Sequence, residues 1–300
     1  MMTIRVPATT ANMGPGFDCT GMALNIYNEL TAEESDRLSI NITGGTSASM
    51  PVTKDNLIYT TISRTFARMG KPAPNLRITQ KDSIPVARGL GSSAACIVAG
   101  LLAANELCGG GCSRDELARM ACSIEGHPDN VVPAMLGGLV TGAADASELR
   151  YVRIEPSDEL SFALFIPSFK ILTENARGVL PAQYTRSDVV FNTARASLFI
   201  ASMMSGNWDN LRTATQDKLH QPYRSKLIPD MDGIIGAALE LGAKGAYLSG
   251  AGPTITAILL RKHEGEFVRE MSARLADMKD VWELRMARAD KKGAQILRSG

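Results

Sequence analysis

The chain has 300 residues, enough for one large domain or two of ordinary size around a substantial core. Its 32 Lys and Arg nearly cancel 31 Asp and Glu, so no charge excess points to nucleic acid or a membrane surface, and aromatics at 5% are too scarce for a base-stacking platform. Five cysteines and three histidines show no zinc-ligand spacing, no apolar leader precedes Thr3, and no stretch is long enough to span a bilayer; the expectation is a soluble cytoplasmic protein with reduced thiols.

Thr3 to Pro7 reads as a short strand. The polar, glycine-rich stretch Ala8-Thr-Thr-Ala-Asn12-Met-Gly-Pro-Gly-Phe-Asp18 follows. It is either a wide connection between strands or a substrate loop that aims Asn12 and Asp18 into a cleft. Period-two alternation marks strands at Leu24 to Ala32 and Arg37 to Ile42. Leu57 to Met69 carries apolar residues at helical spacing behind the capping pair Asp55-Asn56, and Leu76 to Gln80 is the next strand.

Ile84-Pro85-Val86-Ala87-Arg88-Gly89-Leu90-Gly91-Ser92-Ser93-Ala94-Ala95 is the most informative stretch. Its glycines let the backbone approach an anion closely. The small apolar run from Ala94 to Ala104 reads as a buried helix, with Ser92 and Ser93 placed to cap it. The first amides of that helix lack internal partners and sit at the positive end of the macrodipole, which makes a phosphate cradle. Two other readings stay open. One is a glycine-rich turn that only caps a helix. The other is the dinucleotide fingerprint Gly-x-Gly-x-x-Ala, against which Pro85 and Arg88 interrupt the approach and Cys108 to Cys112 replaces the second strand. A Walker loop is excluded, since no lysine follows the last glycine.

Ser113-Arg-Asp-Glu116 is a capping box that opens a helix to about Ser123. Glu125-Gly-His127-Pro-Asp129-Asn130-Val131 then reads as a polar loop between helices, with groups able to bind metal or move protons. Gly137 to Gly142 is a strand, and the polar turn at Glu155 to Asp158 divides the chain into domains 1–156 and 157–300. Strand Phe162 to Ile166, the segment Thr173-Glu-Asn-Ala-Arg177-Gly-Val-Leu-Pro181 and the helix Asp188 to Ser205 come next. Gln216 to Arg224 ends on a second arginine; arginine suits a planar carboxylate better than lysine does. Gly245 to Thr254 reads as strand, glycine loop and strand, its glycines marking close backbone packing against the phosphate loop. A helix at Glu264 to Met278 and a strand at Val281 to Ala287 complete a ferredoxin-like second half.

Pro-Val-Ala-Arg-Gly-Leu-Gly-Ser-Ser-Ala resembles the phosphate-binding motif of the GHMP small-molecule kinases. The first loop (Ala8 to Asp18), Glu-Gly-His-Pro-Asp-Asn-Val, Thr-x-x-Ala-Arg-x-x-Leu-Pro and the segment ending at Arg224 resemble the homoserine-kinase branch of that family, and the glycine loop near Ser249 its third motif. The resemblance implies an α+β fold of two domains: an N-terminal half like domain 2 of ribosomal protein S5, which binds ATP, and a ferredoxin-like C-terminal half. It implies transfer of the γ-phosphate of ATP to the side-chain hydroxyl of L-homoserine, as a homodimer that binds no nucleic acid or membrane. Another GHMP kinase, of mevalonate or sugar type, and a nucleotide-binding protein without turnover are the alternatives.

By the same resemblance, Pro85 to Ala95 and Asn56 hold the nucleotide, Asn56 facing the adenine. Ser93 and Glu125 hold Mg²⁺. Asn12, Asp18 and Asn130 fix the amino and hydroxyl ends of the substrate, while Thr173, Arg177 and Arg224 form the rest of its site, the two arginines on its carboxylate. Mevalonate-type relatives place a lysine and an aspartate base where this chain has Asn12 and Asn130. An amide is no useful proton acceptor, so the expected catalysis needs no strong base and relies on position and charge. His127, the one nearby side chain that titrates close to neutrality, is expected to stabilise its loop.

Overall fold

A computed structural model describes residues 2–44, 50–145 and 148–297. The first half supplies β1 (Met2–Ala11), β2 (Thr20–Glu34), β3 (Ser39–Gly44), α1 (Leu57–Arg68), β4 (Leu76–Asp82), α2 (Ser92–Leu107), α3 (Arg114–Glu125), α4 (Pro128–Leu136), β5 (Leu139–Ala144) and β6 (Leu149–Ile154). These strands form one sheet in the order β1-β2-β4-β3, with β5 bridging β2 to β6. Only β3 and β4 run parallel, joined by the crossover through α1. The four helices cover the sheet. α2 is the innermost, buried on every side from Ala94 to Asn105, as expected of a helix apolar all round. Gly100 lets it touch α1, since a Cβ there would lie 2.8 Å from the Thr61 side chain. The expected capping box at Ser113 is present, with Ser113 accepting from Glu116 N and the Glu116 carboxylate accepting from Ser113 N.

The second half supplies β7 (Leu160–Pro167), α5 (Thr173–Gly178), α6 (Arg186–Ser205), α7 (Leu211–Ala214), α8 (Gln221–Arg224), α9 (Met231–Glu240), β8 (Gly245–Leu248), β9 (Ile255–Leu260), α10 (Glu264–Ala276) and β10 (Trp282–Ala287). Its sheet is antiparallel throughout, in the order β10-β7-β9-β8. That is the 4-1-3-2 order of a ferredoxin-like unit. β7 lies inside the sheet and is buried over its whole length, which is why Leu160 to Ile166 reads as a near-continuous apolar run.

The expected division at 156/157 falls in the connector between β6 and β7, and the end of the chain crosses back over it. The last strand, β11 (Gln295–Leu297), pairs with β1, so the tail joins the first sheet rather than the second. Its three residues carry too little pattern to be read from sequence. Asp290 pins the return: Tyr27 Oη donates to its Oδ2 at 2.7 Å, and the amides of Lys292 and Gly293 donate to its Oδ1. Among the described residues no helix is long and apolar enough to cross a membrane, and all five cysteines are free.

Candidate active site

A cleft of about 360 Å³ opens between the two halves, and the phosphate loop forms one wall of it. Gly89 (φ 73°) and Gly91 (φ 71°) adopt left-handed backbone. A Cβ on Gly89 would lie 2.2 Å from the Ser249 carbonyl oxygen, and one on Gly91 2.0 Å from Thr9 Oγ1. Conformation and space therefore both demand glycine at these two positions. Gly91 is the N-cap of α2 and no side chain caps the helix. This corrects the expectation for Ser92 and Ser93, which are the first two helical residues and not caps. The amides from Gly89 to Ala94 donate to no described residue. A run of free N–H groups at a helix N-terminus is an anion site.

Three members of the expected nucleotide set stand differently. The Arg88 guanidinium turns away from the cleft and donates to the carbonyls of Pro167 (2.9 Å) and Ser168 (2.5 Å), so it braces the two halves and leaves only its backbone to the loop. Pro85 lines a separate cavity behind the loop, and Ala95 is buried in the core. Val86 to Ala94 and Asn56 do line the cleft. The Asn56 side chain caps α1 by accepting from Ile58 N (2.9 Å), and its Nδ2 donates to Pro51 O (2.8 Å).

The rest of the cleft is lined by side chains paired with one another. Arg177, from α5, makes a two-pronged ion pair with Asp18 at 2.8 and 3.0 Å. Asn12 and Asp18 both have positive φ (64° and 56°), a conformation uncommon for non-glycine residues. Asn12 holds the loop in shape: its Nδ2 donates to Gly250 O (2.9 Å) and its Oδ1 accepts from Asp18 N (3.1 Å). The stretch expected to be a loop between helices is shorter than anticipated. Pro128 occupies the first helical position, where proline is favoured, so Asp129 and Asn130 lie in the first turn of α4. There Thr9 Oγ1 donates to Asn130 Oδ1 (2.8 Å), Asn130 Nδ2 donates to Asp129 Oδ1 (3.1 Å), and His127 Nδ1 closes on the same Asp129 oxygen. These partners fix the Asn130 amide, which lines the cleft and has a second Nδ2 hydrogen that bonds no described residue. Burial alone would push His127 down, but the hydrogen bond and charge of Asp129 outweigh it and hold the imidazole above its ordinary value.

Arg224 is among the largest fully buried side chains. Its Nε donates to Ala176 O (3.0 Å) and its Nη1 to Gly250 O (3.0 Å), while Nη2 bonds no described residue. Burial, with the Arg177 charge next, lowers it to about 10, so it stays charged at neutral pH. Arg177, Arg224 and Thr173 line the same cleft. His220 sits behind Arg224, stacked on Phe17, with Nε2 2.8 Å from Gly14 O and Nδ1 3.3 Å from Arg224 Nη1.

Glu125 lines the cleft half-buried, and its carboxylate makes no hydrogen bond or ion pair with a described residue. Burial, aided by the Asp129 charge and opposed by His127 and Arg177, raises its pKa. An orphaned carboxylate beside an anion cradle fits a hard divalent cation, and the exposed Ser93 hydroxyl offers a second oxygen. Asp18, His127 and Asp129 also bring donor atoms within 4.8 Å of one another, but each already has a partner. Thr9 was not singled out from sequence and is brought in by packing. The glycine loop at Gly250 to Gly252 lies against Gly89, as expected of it, and Asp129, expected only as one polar group of its segment, is the acceptor that holds both His127 and Asn130.

The family model for the GHMP kinases N terminal domain matches residues 56–138, and that for GHMP kinases C terminal matches 196–277. The chain is 44% identical over 299 residues to a homoserine kinase of Caldicellulosiruptor saccharolyticus, covering 99% of this chain and 96% of that one. It is 42% identical over 300 residues to a homoserine kinase of Clostridium novyi, covering 100% of both. The crystal structure of homoserine kinase from Cytophaga hutchinsonii superposes with a TM-score of 0.88 at 28% identity, covering 99% of this chain and 97% of that one.

Proposed function

The chain belongs to the homoserine kinases of the GHMP family, and from that membership we propose how its cleft works. It transfers the γ-phosphate of ATP to the side-chain hydroxyl of L-homoserine, a step of threonine biosynthesis. The observation that carries the reading is a row of free amides at the mouth of α2, with two arginines in the lining of the same cleft.

The amides from Gly89 to Ala94 take the phosphates of ATP. Ser93 and Glu125 hold Mg²⁺, which neutralises charge on the phosphate oxygens when bound. The zwitterionic substrate exchanges with the Asp18–Arg177 pair: its ammonium takes Asp18, and its carboxylate takes Arg177 together with the free Nη2 of Arg224. This exchange leaves no charge stranded. Opening the pair costs little, since an ion pair with side chains 40% and 32% exposed contributes about 0–1 kcal/mol. A hydroxy acid without an ammonium group would strand Asp18, so the same pair selects against mevalonate-type substrates.

Asn130, held by Thr9 and Asp129, orients the attacking hydroxyl by its spare Nδ2 hydrogen. Neither Asn12 nor Asn130 can take the proton, and His127 is tied to Asp129. A loose phosphoryl transition state asks for in-line placement and charge neutralisation more than for early proton removal, so the hydroxyl proton leaves late, to an oxygen of the transferred phosphoryl group or to solvent, as the bond from that phosphorus to the ADP oxygen breaks. The protein acts as a cytoplasmic homodimer in this reading. Incubation with ATP and L-homoserine, followed by ³¹P NMR, tests the activity: an O-phosphohomoserine resonance is expected, and ADP without it would overturn the assignment.

A further inference from the structure

An anion cradle made of backbone has to keep its carbonyl oxygens out of the site, because they repel phosphate as strongly as the amides attract it. Four consecutive carbonyls of the phosphate loop are held by donors outside it. Ala87 O accepts from Ile171 N (3.3 Å), Arg88 O from Thr254 N (3.2 Å) and Leu90 O from Thr9 N (3.1 Å). Gly89 O accepts from Ser249 Oγ at 2.6 Å. Three of these four anchors are backbone amides. Ser249 is the one side chain.

In a trans peptide the C=O and the following N–H point in opposite directions. A Gly89 carbonyl fixed on Ser249, in the C-terminal half, therefore turns the Leu90 N–H the other way. Leu90 lines the cleft and its amide donates to no described residue. Gly89 has no Cβ to resist a flip of that peptide, which leaves the φ of Leu90 and the bond to Ser249 to hold its orientation.

The neighbours of Ser249 determine what its hydroxyl does. Ser249 Oγ is also 2.9 Å from Thr10 Oγ1, which lies 3.2 Å from the Tyr247 hydroxyl and 3.5 Å from Thr256 Oγ1. Ser249, Thr10, Tyr247 and Thr256 are all fully buried. Each hydroxyl carries one hydrogen, and a carbonyl can only accept. Gly89 O and Thr10 Oγ1 both lie within reach of the single Ser249 hydrogen, and Thr10 gives its own hydrogen to the Tyr247 hydroxyl. The shorter of the two Ser249 contacts is the one to Gly89 O, which can only accept.

We infer that Ser249 is a positioning residue for the nucleotide: the last member of a buried hydroxyl chain, it holds the Gly89–Leu90 peptide with its carbonyl in the C-terminal half and its N–H in the cleft. The inference rests on the phosphate loop being the ATP site, as read above. It makes the second half of the protein a determinant of nucleotide affinity through a residue that does not touch the nucleotide.

Isothermal titration of the full chain with ADP and, separately, with L-homoserine tests it. Ser249→Ala is expected to weaken ADP binding about 10- to 100-fold, the range expected when a buried acceptor loses its donor, with homoserine affinity within a factor of about two. In turnover, KM for ATP rises and KM for homoserine does not. Thr10→Val, which removes the competing acceptor and leaves Ser249 its hydrogen for Gly89 O, keeps ADP affinity within a factor of about two of wild type. Unchanged ADP affinity in Ser249→Ala would overturn the inference. So would equal losses for both ligands with a lowered melting temperature, which mark a general structural defect. If the wild-type chain itself fails to bind ADP, the reading of the loop as the ATP site fails instead.

Discussion

The two parts of the cleft are prepared in opposite ways. At the phosphate loop the ligand-binding groups are main-chain amides. Their carbonyls are anchored elsewhere, and the amides from Gly89 to Ala94 lack partners. In the amino-acid part the groups are side chains that satisfy one another: Asp18 with Arg177, and Thr9 with Asn130, Asp129 and His127 in series. The first part is set before the ligand arrives; the second has to trade an internal pairing for an external one. The difference follows from chemistry. A neutral amide N–H near solvent loses little by lacking a protein partner, whereas half-buried opposite charges gain by meeting, as Asp18 and Arg177 do. In the proposed reaction the two ends of a zwitterionic substrate take the places that Asp18 and Arg177 fill for each other.

The largest expected effect tests the pre-set side. Gly89→Ala places a methyl against the Ser249 carbonyl and demands a left-handed alanine, so the loop has to move. A fall in kcat/KM for ATP of about 10³-fold is expected, within the reach of a ~1 Å misplacement compounded by lost amide contacts. Near-normal ATP kinetics in this variant would break the contrast.

The exchangeable side gives the next two. Arg177→Ala removes one carboxylate ligand and leaves Asp18 unpaired; KM for homoserine is expected to rise about 10- to 100-fold, as for a charged hydrogen bond lost. Thermal stability should move by less than about 1 kcal/mol, because the pair is half-exposed. A large stability loss with unchanged KM would make the pair a structural strut. His127→Ala sharpens the no-base reading. A loss in kcat under ~10-fold is expected, and one of ~10²-fold or more, the usual size for removing a general base, would contradict it.

The smallest effect concerns the support behind Arg224. Burial, with the Arg224 charge adding and Asp217 opposing, lowers the pKa of His220 below its ordinary 6.5. Its neutral ring donates from Nε2 to Gly14 O and accepts at Nδ1 from Arg224. Because the folded value is depressed, the unfolded chain takes up the proton first. His220 is therefore neutral in both states above about pH 6.5, and folding stability is lost as pH falls below that value. The melting temperature of the wild type should drop more between pH 7.5 and 5.5 than that of His220→Gln. Equal drops would assign the acid sensitivity to other groups.

Much of this was readable from the chain. The phosphate loop announces itself because glycine at two fixed positions followed by small helix formers is a local requirement, and the alternation of β2 and the capping box of α3 are local as well. What escaped was set at long range. Ser92 and Ser93 look like caps, but Gly91 takes the left-handed cap position, packed against Thr9 where no Cβ fits. Arg88 looks like an anion ligand, yet two carbonyls nearly eighty residues away capture its guanidinium. Asp18 and Arg177 were each read as substrate ligands, and nothing in their local sequence says that they hold each other, 159 residues apart. Asp129 was read only as one polar group of its segment, because its role lies in which neighbours the first turn of α4 brings to it.

A crystal structure with a non-hydrolysable ATP analogue and L-homoserine tests the central claim most directly. The account predicts phosphate oxygens on the amides between Gly89 and Ala94, and Asp18 and Arg177 no longer bonded to each other but to the ammonium and carboxylate of the amino acid. An intact Asp18–Arg177 pair with both ligands bound would contradict it.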